Sequence, residues 1–85
     1  MKDITYQPAA RKALRKMPLK TRRRIIGKIE TYATDPASQK NNIKRLQGSD
    51  ELRLRIGDYR VIFLDSTIID VLKIGPRGSI YGDQR

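Results

Sequence analysis

Between Ala10 and Ala33 the apolar residues fall into two sets, Ala10, Ala13, Leu14 and Met17, then Ile25, Ile26, Ile29, Tyr32 and Ala33. Both sets follow the i, i+3, i+4, i+7 spacing that gives a helix one apolar stripe. Pro8 suits a first helical turn, Met17-Pro18 interrupts the pattern and Asp35-Pro36 stops it, which predicts helices over roughly residues 8–17 and 19–34. With so short a connection the two form an antiparallel hairpin. At Glu51 the period changes to two: Leu52, Leu54 and Ile56 take one face of a strand, and Glu51, Arg53 and Arg55 the other. Gly57-Asp58 predicts a tight turn into a strand over residues 59–64, and Asp65-Ser66-Thr67 a turn into another over 68–74. Ile4-Thr5-Tyr6 adds a short strand at the start. Residues 37–50 are polar apart from Ile43 and Leu46 and read as a connecting loop, and residues 75–85 are too broken by glycine for a regular element. The expectation is an α+β fold in the order βααβββ, with both helices packed on the Leu52, Leu54, Ile56 face of a small, mainly antiparallel four-stranded sheet.

At 85 residues the chain is expected to form a single domain over 1–85. No run approaches the roughly 20 apolar residues of a membrane span, and the first residues carry no hydrophobic stretch of the secretory kind, so the expected location is cytoplasmic and no membrane partner is expected. Charge changes the picture more. Lys and Arg number 19 against 9 Asp and Glu, a formal net charge of +10, which makes a polyanion the first partner to consider. The chain has neither cysteine nor histidine. That removes the thiolate nucleophile, the Cys-ligated zinc and the usual neutral-pH base. The acidic residues are scattered along the sequence, which argues against a two-metal site, and neither metal nor cofactor is expected.

The basic residues concentrate in two places. Nine of them lie between Pro8 and Lys28, Arg22, Arg23 and Arg24 foremost, with no acidic residue in that stretch. Such a run is either a solvated, solubilising face or a docking surface for nucleic-acid backbone; the missing i, i+4 partners favour the second. On the strands, Arg53 and Arg55 share a face about 7 Å apart by strand rise. Arg60 joins them if Tyr59, Val61 and Phe63 point to the core. This cluster too reads two ways, as the wet side of a sheet or as an anion site whose crowded guanidiniums a phosphate would relieve. Tyr81 follows Arg77 by four residues, and a phenol among arginines ionises more readily and can stack on a base. Without histidine or clustered carboxylates, the remaining nuclease chemistry is attack of a ribose 2′-OH on its own phosphate, with cations stabilising the charge that builds there.

Three runs, Asn42-Ile43-Lys44-Arg45-Leu46-Gln47-Gly48-Ser49, then Leu52 through Phe63 with its Arg-Ile-Gly-Asp-Tyr-Arg-Val-Ile core, then Ile74-Gly75-Pro76-Arg77 with Tyr81, resemble the RelE/ParE superfamily of type II toxins. The resemblance covers nearly the whole chain. It implies the toxin of a toxin-antitoxin pair, in one branch a ribosome-dependent mRNA endoribonuclease and in the other a DNA gyrase inhibitor. Carried over position by position, the catalytic residues of the first branch fall on Arg53, Arg60, Arg77 and Tyr81, with Arg55, Lys44, Arg45, Arg22, Arg23 and Arg24 as RNA-binding residues. A strand lysine of the well-studied enzymes falls on Glu51 here, a His-Arg pair on Pro76-Arg77, and the chain ends four residues after Tyr81, before the C-terminal helix of many relatives. The endoribonuclease branch is the favoured expectation; the gyrase inhibitor, or an inactive RNA-binding corepressor, is the alternative. Implied partners are a cognate antitoxin, the ribosome with its mRNA, and operator DNA bound only together with the antitoxin.

Overall fold

The computed structural model describes residues 1–80. In chain order the elements are β1 (Ile4–Tyr6), α1 (Pro8–Arg15), α2 (Leu19–Thr34), a 3-10 helix (Pro36–Asn42), β2 (Ile43–Arg45), β3 (Leu52–Ile56), β4 (Tyr59–Asp65) and β5 (Ile69–Pro76). The strands form one sheet in the order β1-β5-β4-β3-β2. Among the described residues only the β1–β5 pairing is parallel. The α+β fold and the two helices are as the hydrophobic spacing predicts.

Pro8 opens α1, where its missing N–H would have had no partner in any case. The helix ends two residues earlier than expected: the Lys16 N–H turns back to the Ala13 carbonyl and the Met17 N–H to the Leu14 carbonyl before Pro18 can be reached. In α2, Ile25, Ile29, Tyr32 and Ala33 are buried. They meet Leu54, Ile56, Val61, Phe63, Val71 and Ile74 from one face of the sheet, together with Ala10, Leu14 and Met17. The Tyr32 and Phe63 rings pack edge to face with centroids 5.0 Å apart, a favoured aromatic geometry.

Two expectations are corrected. Residues 37–50 are not simply a loop: Pro36–Asn42 forms the 3-10 helix, on which Gln39 is buried, and Ile43–Arg45 adds a fifth strand paired with Leu52–Leu54. Three residues with one apolar side chain are too few for a period-two signal. The second concerns β5, which continues through Gly75 and Pro76 and carries a register shift opposite Ile62 and Phe63. Val71 pairs with Phe63 and Ile74 with Val61, so two core-facing residues are separated by an odd number of positions. One extra residue in β5 accounts for this, as in a β-bulge.

Candidate nucleic-acid interface

The side chains that do not meet the helices form the other face of the sheet, and the pairing register assigns them to it. Lys44 lies opposite Arg53, and Arg55 lies opposite Arg60. Arg53 also faces Ile62, which in turn faces Lys73. Arg53, Arg55 and Arg60 therefore share one face, because Val61 and Phe63 are buried in the core on the other. Strict alternation from Val71 would have turned Lys73 inward; the extra residue in β5 brings it out beside Ile62. Sequence reasoning missed Lys73 for that reason, since a bulge leaves no mark in the hydrophobic pattern.

Directly opposed residues in such a ladder hold their Cβ atoms about 4.5–5.5 Å apart, yet the Arg55 and Arg60 side chains part company. Arg55 Nη2 donates to Asn42 Oδ1 at 3.1 Å, while Arg60 Nη1 donates to the Gly57 carbonyl at 2.9 Å and the Tyr59 carbonyl at 3.0 Å. Neutral acceptors thus hold both guanidiniums, which keep their full charge and further N–H donors for an anion. Arg53 is half-buried, paired with Lys44 of β2 and Ile62 of β4, and Glu51 immediately precedes its strand.

Arg77 begins the turn after β5. Its backbone N–H donates to the Asp58 carbonyl at 2.7 Å, so the β3–β4 turn at Gly57-Asp58 carries Arg60 on one side and Arg77 on the other. Tyr81, the remaining expected catalytic residue, lies outside the described residues. Among those that are described, no three carboxylates come together as a cation site would need.

The other expected RNA-binding residues are dispersed. Arg45 has the opposite parity, pairing with Leu52, and it is exposed in an ion pair with Asp50 at 3.5 Å. Successive helical residues are about 100° apart, so Arg22, Arg23 and Arg24 have three different surroundings. Arg22 turns back on α1, its Nε donating to the Leu14 carbonyl at 3.0 Å and its Nη2 to the Met17 carbonyl at 3.2 Å. Both carbonyls lie at the junction of α1 and α2, where the backbone leaves acceptor capacity unfilled, which gives Arg22 a structural task. Arg23 is exposed. Arg24 reaches over the β3–β4 turn to Gly57.

A second polar network occupies the opposite end of the sheet. Tyr32 Oη donates to Asp65 Oδ2 at 2.6 Å, and Lys2 Nζ donates to Asp65 Oδ1 and to the Ser66 carbonyl. Burial alone would push the Asp65 carboxyl up, but the hydrogen bonds from Lys2 and Tyr32, with the Lys2 charge, hold it below the ordinary carboxylate value. Burial, then the Asp65 carboxylate, pushes the Tyr32 phenol far above its usual value. Tyr6 is raised as well, by burial and then by the Glu30 charge.

The family described as "ParE toxin of type II toxin-antitoxin system, parDE" matches residues 4–81. The chain is similar in structure to the archaeal RelE of the RelE-RelB complex from Pyrococcus horikoshii, at 28% identity over 91% of this chain and 96% of that one, with a TM-score of 0.76. It is also similar to the RelB-RelE complex from Methanococcus jannaschii, at 24% identity over 94% and 98% of the two chains and a TM-score of 0.73. The isolated RelE toxin from E. coli shares the fold at 17% identity over 99% and 95%, again with a TM-score of 0.73. No curated protein matches the chain.

Proposed function

This chain belongs to the ParE toxin family of type II toxin-antitoxin systems, within the RelE/ParE superfamily, and from that premise we propose that it is an mRNA endoribonuclease acting on the ribosome. The observation that carries this reading is that one two-residue turn holds the Arg60 side chain through the Gly57 carbonyl and the Arg77 backbone through the Asp58 carbonyl, on the sheet that also carries Arg53.

The chemistry is intramolecular phosphoryl transfer. The ribose 2′-oxygen attacks the adjacent phosphorus, the bond from phosphorus to the 5′-oxygen breaks, and a 2′,3′-cyclic phosphate and a 5′-hydroxyl result. One proton leaves the 2′-OH and one reaches the 5′-oxygen. Charge accumulates on the non-bridging oxygens in between, and pre-positioned guanidiniums stabilise it without having to reorganise. Arg60 and Arg77 take that role because their planar forks suit phosphate oxygens. Arg53 is the supporting cation near the leaving oxygen, and Tyr81 stacks on a base or moves a proton. DNA lacks the attacking hydroxyl, so the reaction selects RNA.

Arg23 and the neighbouring exposed lysines of the helical hairpin then dock on ribosomal RNA. The relatives solved as RelE-RelB complexes support a cognate antitoxin; in this reading it covers the basic sheet face and, joined to this chain, binds operator DNA.

A second reading has its own support. Glu51 sets a negative charge two residues from Arg53, and the matching family is described by its ParE toxin; both favour inhibition of DNA gyrase. Primer extension on mRNA in a translating extract separates the two. Cuts within codons that fall at least 100-fold in Arg60→Ala and Arg77→Ala support cleavage. Intact mRNA together with gyrase-dependent DNA breaks overturns it in favour of the second reading.

A further inference from the structure

Arg24 stands apart from the rest of the helical basic face. It lies in the second turn of α2, yet its side chain crosses to the tip of the β3–β4 turn. There it occupies the space that a side chain at Gly57 would need: an added Cβ would lie 2.7 Å from Arg24 Nη2, 3.2 Å from Nη1 and 3.3 Å from Cζ. Gly57 has φ +56° while no non-glycine among the described residues has a positive φ, and a two-residue turn with a positive φ at its first central position alone takes glycine there. The turn backbone therefore takes glycine, and the space left open by its missing Cβ is the seat that Arg24 fills.

Arg24 and Arg60 come to this turn by their side chains, and Arg77, the residue after β5, by its backbone. Arg24 lies over Gly57 from α2, Arg60 from β4 donates to the Gly57 carbonyl, and Arg77 is anchored by the Asp58 carbonyl. The Arg24 guanidinium forms no hydrogen bond or ion pair among the described residues. Although Asp58 is adjacent and exposed, the two are not paired. Like charges gathered at one turn repel one another, and among the described residues no carboxylate, the adjacent Asp58 included, pairs with Arg24 or Arg60 to offset them. A polyphosphate backbone would, with one fork to each anionic group or two forks to one.

We infer that Arg24, seated on Gly57, is a phosphate-binding residue of the RNA site itself, joining the helical basic face and the sheet cluster into one track for a single-stranded RNA backbone. The inference rests on the endoribonuclease reading. It moves Arg24 from remote docking to the immediate surroundings of Arg60 and Arg77, and it gives Gly57 a steric purpose.

The test is binding of a 2′-O-methyl RNA oligonucleotide, which cannot undergo 2′-oxygen attack, measured across a salt series with thermal unfolding as the check on folding. Arg24→Ala should weaken binding about tenfold and lower the slope of log K against log salt by ~0.7, one phosphate on a single strand. Arg24→Lys should keep the slope and lose part of the affinity, because the charge remains and the fork does not. Because Arg24 and Arg60 act on one backbone at one turn, the double variant Arg24→Ala/Arg60→Ala should lose less than the sum of the two single losses. Losses that add in the double variant overturn the inference. So does an unchanged affinity and slope in Arg24→Ala while Arg60→Ala and Arg77→Ala bind poorly, a result that leaves the endoribonuclease reading standing. If all three alanine variants bind like the parent, both fall.

Discussion

Arg55 and Arg60 stand directly opposite one another across the β3–β4 ladder, two positive charges in a position where sheets normally place complementary or neutral pairs. Each guanidinium is held by a neutral oxygen, that of Asn42 or of Gly57, and not by a carboxylate. The arrangement sacrifices stability for a local positive field. Arg55→Gln keeps a donor for Asn42 and removes one charge, so it should raise unfolding stability by ~0.2–1 kcal/mol, read from the urea midpoint. The same variant should bind RNA more weakly and with a shallower salt dependence.

Arg22 and Arg23 are neighbours in sequence with opposite predicted phenotypes. The Arg22 side chain closes the Leu14 and Met17 carbonyls at the junction of α1 and α2. Arg22→Ala leaves those acceptors without their charged donor and should cost about 1–3 kcal/mol, seen as a lower denaturant midpoint. Arg23 is exposed and makes no such bond, so Arg23→Ala should leave stability within about 0.5 kcal/mol. Its effect should appear in association with ribosomes.

Gly27 sits in the middle of α2, exposed, with open space where a Cβ would be. Its backbone is ordinary helix and gains nothing from glycine. Gly27→Ala should therefore stabilise the protein by ~0.4–1 kcal/mol, by restricting the unfolded chain and favouring the helix. For a domain of this size that is a rise of a few degrees in melting temperature. Activity should not change.

Much of the fold is legible in the chain because its strongest signals are local. The stripe through Ile25, Ile29 and Tyr32 and the alternation of Leu52, Leu54 and Ile56 each name a face, and two such faces have to meet. What stays hidden is set by tertiary geometry. Ile43–Arg45 becomes a strand only because β3 offers it an edge. Lys73 joins the cations only because β5 gains a residue before it. The triplet Arg22-Arg23-Arg24 reads as one patch, yet the helix rotates its members onto a carbonyl cluster, solvent and the β3–β4 turn. The grouping of Arg53, Arg55 and Arg60 was readable from alternation, whereas the approach of Arg24 to Gly57 depends on how α2 crosses the sheet, which no spacing rule specifies.

The Lys2, Asp65 and Tyr32 network predicts that stability declines at both ends of the pH scale, for opposite reasons. Asp65 binds its proton less tightly in the folded state, because Lys2 and Tyr32 favour its carboxylate. Its contribution is therefore present above the ordinary carboxylate value of about 3.9 and is lost as pH falls through the lower folded value. Tyr32 binds its proton more tightly when folded, through burial and the bond to Asp65. Its contribution is complete below about pH 10 and is lost as pH rises beyond that. Tyr6, raised by burial and Glu30, adds to the same alkaline decline. Denaturant midpoints measured from pH 2 to 11 should therefore fall below about pH 4 and above about pH 10. Asp65→Asn should flatten the acid limb, because the ionisable carboxyl has gone. Tyr32→Phe should reduce the alkaline limb without removing it, since Tyr6 still titrates. An alkaline limb that survives at full size in Tyr32→Phe would place the raised phenol elsewhere.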